Sequence, residues 1–578
     1  MSLLSSTSRR LLAGASLLLL AGAGPAQLSP EWGAEVSVGA SLGAGAVGSV
    51  TDADGVTYIA AIVGQSTDTD VLTTAIGADG SVLWTKTYDS GNGADQARGI
   101  ALGPDGSLFV TGNALNTLDV SNMLLLEYDR ATGALLDVVE ELSFSSEHGA
   151  SVDVDSAGNV AVVGATTGDG GDALVRSYTP AGQLRWQATY DGPAFGPFSQ
   201  DTGLQVLVDD DDDVVALIHG IMGNAQPDYV VVKYSGADGS VLWTATWGSN
   251  GGDYASTMTL DAAGDVYVTG TAIDLIDKFS TIKLDGDDGG LVWQAYDAIG
   301  LDHLPSAITL DGLGGVYVSG RSDPDGNQSN FNDDFFTVKR DATTGAQFWV
   351  HAYGESCIGC FDVSSDVLVD GQGRVYLTGS TSSPPYGADM ILFVLDAQTG
   401  VEITRGVVSG DANEAAGGDS LALDAQGNVY VTGGISNGNT GQAWLAVWQF
   451  AALGDPWSDL GSGLAGTGGL VPALVGEGPL TGGSANGLVM TDALPGAGAT
   501  LVAGFSRIDA PFKGGVLVPS PDVLLAGLTV DATGGTTLPF TWPTGIPAGT
   551  TLAFQQWVVD AGGPAGLSAT NGLEGTAQ

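Results

Sequence analysis

The residues best suited to chemistry in this chain are carboxylates grouped on short stretches that read as turns: Asp209 to Asp213, Asp285-Gly286-Asp287-Asp288, and Asp323-Pro324-Asp325-Gly326-Asn327. Carboxylates crowded on a turn offer the hard oxygen ligands that calcium takes. Asp285, Asp287, Asp288, Asp323 and Asp325 are therefore the candidate Ca2+ ligands, although no stretch carries the complete D-x-D-x-D-G-x5-E loop. The competing reading is a set of solvated turn aspartates that bond to the backbone ahead of them. The only two cysteines, Cys357 and Cys360, are spaced C-x-x-C. In an exported chain built of strands this spacing points to a small structural disulfide pinning one loop. Zinc would need further ligands, and His148, His219, His303 and His351 are scattered singly.

Catalytic strings lack the elements that would make them work. Gly43-Ala44-Gly45-Ala46-Val47-Gly48 spells a dinucleotide fingerprint, but a strand pattern follows where a helix N-terminus must hold the pyrophosphate. Gly434-Ile435-Ser436-Asn437-Gly438 spells a nucleophile elbow without a strand-turn-helix setting. There is no H-E-x-x-H, and without paired histidines neither a metalloprotease nor a triad has a natural base. No catalytic and no cofactor-binding residue is assigned.

The elements that carry these residues repeat with a period of roughly fifty residues, a sign of a solenoid or closed array. Asp261-Ala-Ala-Gly264-Asp-Val-Tyr-Val-Thr-Gly270 recurs at Asp311 to Gly320, Asp370 to Gly379 and Asp424 to Gly433. A related copy runs from Asp153 to Gly164, one ending at Gly112 is shifted at its turn, and looser ones end at Gly64 and Gly220. Each unit reads as four short strands: Asp in the first turn bonds the backbone ahead of it, and Gly at the fourth position supplies a positive φ. A third strand recurs in every copy, from Asp70 to Ile76 through to Trp444 to Phe450. The fourth is marked by Trp84, Trp186, Trp243, Trp293 and Trp349, with Leu136 and Ile403 in two degenerate copies. That leaves one fourth strand missing. Glu31-Trp32-Gly33 resembles Leu83-Trp84-Thr85, so Trp32 is expected to close the sheet that ends at Phe450. A ring closed in this way leaves no free outer repeat. The tryptophans are expected to pack between sheets rather than stack on sugars.

The D-x-x-G-x-V-Y-V-T-G run, followed by Val232-Lys233-Tyr234 to Trp243 and Ile282-Lys283-Leu284 to Trp293, resembles the bacterial β-propeller repeat called SBBP, over about Leu28 to Phe450. Asp341-Ala-Thr-Thr-Gly345-Ala-Gln-Phe-Trp349 is more distantly similar to the packing motif of pyrroloquinoline-quinone propellers, which also have eight blades; the adjacent cysteines and catalytic aspartate set of that family have no counterpart here. From Gly454 the pattern stops. Trp457 to Thr467 and Phe554 to Leu573 resemble the terminal domain of secreted planctomycete-type proteins, with short strands expected at 487–491, 500–505, 515–518, 536–540 and 551–560.

With 66 acidic against 17 basic residues the net charge is −49, which repels a phosphate backbone and argues against nucleic acid as a partner. Met1 to Ala26 reads as a signal peptide, with Arg9-Arg10, an apolar run and small residues at the cleavage site. No later stretch is apolar enough to span a membrane. The expected protein is thus all-β: residues 28–453 an eight-bladed β-propeller, with seven blades as the alternative, and 454–578 a small C-terminal β-sandwich. The expected function is that of a secreted, periplasmic or cell-surface, monomeric and non-enzymatic module that binds a protein or polysaccharide ligand or serves a structural role. An exported quinone-dependent dehydrogenase or carbohydrate-active enzyme is the alternative.

Overall fold

In the computed structural model the D-x-x-G stretches are hairpin turns between first and second strands. Asp261 Oδ1 accepts the backbone N–H groups of Ala263 and Asp265, both at 3.0 Å, and Gly264 closes the turn at φ +80°. The same capping recurs at Asp52, Asp155, Asp209, Asp311, Asp370 and Asp424. The tyrosine six residues on bonds the other carboxylate oxygen: Tyr267, Tyr317 and Tyr430 donate to Asp261, Asp311 and Asp424 at 3.0, 2.9 and 3.1 Å. The third-strand lysine completes the group. Lys283 Nζ lies 2.7 Å from Asp265, 3.6 Å from Asp261 and 4.9 Å over the Tyr267 ring. Lys339 repeats this with Asp311 and Tyr317. The Asp, Tyr and Lys of the repeat are thus one mutually satisfied polar group, which is what allows them to be buried.

The structure describes residues 27–577 apart from 40–45, 66–67, 119, 141–144, 168–170, 194–199, 222–225, 250, 274–276, 298–300, 324–332, 355–360, 383–387, 410–413, 438–441, 453–455, 479, 481–483, 544–545 and 548. The expected signal peptide lies outside them. The chain divides into two compact units, one of Met1–Val369, Tyr376–Phe393 and Arg405–Ala452, the other of Asp370–Val375, Val394–Thr404 and Leu453–Gln578.

In the repeat region the described residues form eight sheets of four or five strands, antiparallel within each repeat. The fifth sheet, in chain order, comprises Asp253–Leu260, Val266–Ile273, Asp277–Leu284 and Leu291–Asp297. First strands of successive sheets lie side by side, and that of the eighth, Glu414–Leu423, returns to that of the first, Ala46–Thr51. This arrangement is a β-propeller. Apolar faces pack between sheets: Val215 and Leu217 of the fourth meet Met258, Val266 and Val268 of the fifth. Trp32–Gly39 is the outer strand of the eighth sheet, with Trp32 opposite Gln449. Gln27–Leu28 adds a parallel strand to the seventh, opposite Arg405 and Gly406, which sequence reasoning did not foresee.

Fourth-strand tryptophans pack onto the following sheet. Trp243 Nε1 donates to Gly286 O at 3.0 Å and its ring lies where a Cβ on Gly289, at φ +73°, would come within 2.7 Å. Trp84, Trp186 and Trp293 do the same at Gly133, Gly239 and Gly345, with their indole N–H groups on Arg130, Gly236 and Ala342. Trp32 carries the series from the eighth sheet to the first, onto Ala78 O and Gly80.

In the C-terminal unit one sheet runs in the order Trp457–Gly461, Gly572–Thr576, Thr551–Val559, Gly498–Gly504, Val523–Thr529. A second comprises Ala473–Glu477, Ala485–Thr491 and Thr536–Thr541. Trp457, Phe554 and Val558 of the first share a core with Leu474, Leu488 and Met490 of the second.

Candidate functional site

The first strand of nearly every propeller sheet carries one extra residue at the same point. In the second sheet Ala97 lies opposite Gly112 and Gly99 opposite Thr111, so Arg98 has no opposite number. The unopposed residues of the other described registers are Val47, Ala150, Leu204, Ser256, Ser306 and Asp419. A β-bulge of this kind re-aims one side chain and is favoured beside binding sites. It also explains the last glycine of each V-Y-V-T-G run. Gly112, Gly164, Gly270, Gly320 and Gly433 lie opposite the kink, where a Cβ would stand 1.8 to 2.2 Å from a first-strand carbonyl oxygen. None of them has a left-handed φ, so close backbone approach rather than turn geometry demands glycine. In the first and fourth sheets the equivalent residues are Ala61 and Ile218, not the Gly64 and Gly220 that the sequence pattern suggests.

Six first strands wall a cavity of about 390 Å³ lined by Ser151, Gln205, Ser256, Thr257, Ser306 and Arg98, among others. Arg98 is exposed to it. Its guanidinium is steadied by neutral oxygens: Nε donates to Asn113 Oδ1 at 3.2 Å and Nη2 to Gln96 Oε1 at 3.3 Å. Burial, then the Arg98 charge, push the nearby His148 imidazole below its ordinary pKa. Gln205 Oε1 accepts from Thr257 Oγ1 at 2.9 Å and from Met258 N at 2.7 Å.

That last bond belongs to a wider device. A sheet's first strand is an open edge with free backbone donors, and side chains of the preceding first strand fill them. Ser151 Oγ accepts from Val206 N, Asp153 Oδ2 from Val208 N, and Asp366 Oδ2 from Leu421 N at 2.7 Å. Burial among the strands outweighs these bonds: it raises Asp153 above the usual carboxylate range and pushes Asp366 up to about 6.

Of the calcium candidates, Asp285, Asp287 and Asp288 share one hairpin turn. Asp285 Oδ1 accepts Asp287 N at 2.9 Å and Asp288 Oδ1 accepts Gly290 N at 2.8 Å, and Asp287 and Asp288 are exposed. Asp323 is buried at the end of Gly315–Asp323. Asp325, Cys357 and Cys360 lie outside the described residues. Asp209 and Asp213 hold Lys233, at 2.7 and 3.8 Å. Among the described residues, the carboxylates close enough to share a cation are instead Asp70, Asp89 and Asp95, whose ligand atoms lie within 4.8 Å of one another. Asp70 comes from the strand Asp68–Ile76 and Asp89 and Asp95 from the loop between Val82–Tyr88 and Gln96–Leu102, so no single run in the sequence announces the group. Burial, then neighbouring carboxylates, raise Asp70; burial raises Asp95, whose carboxylate accepts Ser90 N and Oγ.

The chain matches no protein-family model and no curated protein. Among solved structures it is similar to the quinohemoprotein alcohol dehydrogenase of Comamonas testosteroni at 12% identity, covering 74% of this chain and 77% of that one with a TM-score of 0.46. A europium-containing methanol dehydrogenase is similar at 12% identity over 73% and 93%, TM-score 0.45. Sqt1 of Chaetomium thermophilum is similar at 8% identity over 69% and 92%, TM-score 0.43.

Proposed function

We propose that this chain is an exported, non-enzymatic binding module: an eight-bladed β-propeller of the SBBP type whose central cavity takes a small polar ligand, with a C-terminal β-sandwich as accessory domain. The observation that carries the reading is the series of bulges, which sets one residue out of register in every first strand whose register is described, with Arg98, Ala150, Leu204, Ser256 and Ser306 among them lining the cavity. Repeating so disruptive a backbone feature at the same level of these registers favours a site at that level. Export is supported by the charged and apolar pattern of the first 26 residues.

The test is thermal shift of the full chain against neutral and acidic saccharides, small organic acids, and pyrroloquinoline quinone with calcium. Ser256→Trp, which fills the cavity from a bulge residue, should abolish whatever stabilisation appears. Shifts that survive Ser256→Trp would place binding elsewhere. A quinone-dependent shift with a visible absorption band would favour the enzyme alternative.

A further inference from the structure

We infer that the cavity takes a polyhydroxylated carboxylate, an acidic sugar, with its carboxylate on the Arg98 guanidinium. The inference rests on the cavity being the ligand site and adds the chemistry of what enters it.

The first argument is the pairing of cations. Buried cations of the repeats face carboxylates: Arg176 faces Glu147 at 2.8 Å, Lys233 faces Asp209 at 2.7 Å, Lys283 faces Asp265 at 2.7 Å, and Arg340 contacts Asp297. With 66 acidic residues for 17 basic ones, a guanidinium without an acid is the exception. Arg98 is that exception on the cavity wall, bonded only to the amide oxygens of Asn113 and Gln96. Those bonds fix the plane of the fork and leave its other N–H groups to a ligand. A planar fork of this kind matches a carboxylate with two parallel bonds.

The second argument is the remainder of the wall. Gln205 commits its carbonyl oxygen to Thr257 and Met258, so its amide N–H groups stay available to the cavity. Ser306 Oγ donates to Ser364 O at 2.7 Å and keeps its lone pairs. Ser256, unopposed and exposed, adds a hydroxyl free to donate or accept. Donors and acceptors spread over several strands suit a ligand with several hydroxyls, whereas an inorganic anion would use the Arg98 end alone. A volume of about 390 Å³ sits at the small end of ligand pockets, roughly 300–1,000 Å³, with room for one or two sugar rings. The net charge of −49 does not forbid an anion there, because at physiological salt charges beyond a Debye length of about 8 Å are largely screened and Arg98 is the one charged residue among those lining the cavity.

Titration calorimetry of the full chain with D-galacturonate, D-galactose and inorganic phosphate tests this. Galacturonate should bind at least tenfold more tightly than galactose. Arg98→Gln should bring galacturonate down to the galactose level while leaving galactose and the melting temperature unchanged, and Arg98→Lys should restore only part of the gap. Equal affinities for the two sugars, or galacturonate binding that is indifferent to Arg98→Gln, would overturn the inference; so would phosphate binding as tightly as galacturonate, or no binding of galacturonate at millimolar concentration. Should Ser256→Trp leave galacturonate binding intact, the cavity reading itself fails, an outcome separate from the failure of the carboxylate assignment.

Discussion

Gly164 shows what a single residue settles in this fold. It does not need an unusual φ, yet a methyl group there would stand 1.8 Å from His148 O. Gly164→Ala should therefore destabilise the protein by about 1–3 kcal/mol through overpacking against backbone that cannot yield. Urea melts check this, and an unchanged midpoint would mean that the bulge relaxes freely. Trp243 makes a complementary case, being 7% exposed, bonded to Gly286 O and seated on Gly289. Trp243→Ala should cost about 3–5 kcal/mol, and Trp32→Ala less, because Trp32 is only half buried. Equal losses at the two positions would contradict the packing series. The turn aspartates, tyrosines and tryptophans were legible in the sequence because each recurs at a fixed offset. Arg98 was not, because the bulge position holds a different residue in almost every repeat and only alignment by structure shows Val47, Arg98, Ala150 and Asp419 to be equivalent.

At the scale of elements, strands and their order could be read from the sequence while the bulge could not. The terminal strand at Trp32 was foreseen from its likeness to Leu83-Trp84-Thr85. In the C-terminal unit the expected strands match observed ones to within about two residues, the usual uncertainty of such boundaries. The strand Val523–Thr529 was missed because polar and apolar residues do not alternate along it: Val523, Leu524 and Leu525 follow one another, all exposed at the edge of the sheet, and a periodicity of two has nothing to register. The extra residue in each first strand left no mark except the glycine opposite, which reads equally well as a strand end. Closure by Trp32–Gly39 carries a direct expectation. Deleting residues 27–39 would expose the edge of Gln442–Phe450 and uncover Leu445 and Val447, both fully buried. The truncated chain should lose its single cooperative melting transition and self-associate in sedimentation, as open apolar edges do. A monomer with an unchanged melt would show that the ring does not need this strand.

For the molecule as a whole, the carboxylates between first strands set the response to pH. Asp366 keeps its proton up to about pH 6 when folded, against about 3.9 in an unfolded chain. Between those values the folded chain binds more protons, so its contribution is fully present below about pH 3.9 and is lost as pH rises through about 6. Turn carboxylates such as Asp311 and Asp105, held below the usual range, act in the opposite sense and lose their contribution as pH falls. The melting temperature of Asp366→Asn minus that of the parent chain should thus be more positive at about pH 7.5 than at about pH 5.5, a comparison from which the opposing effect of the depressed His148 and His219 imidazoles cancels; an equal difference at both pH values would contradict it. The same inner strands that tune stability enclose the proposed site, and the account stands most directly on what occupies it. A crystal structure of the protein soaked in galacturonate should show a sugar in the cavity beside Ser256 and Ser306, with its carboxylate on Arg98. Galacturonate ordered anywhere else, with only water in the cavity, would contradict the account.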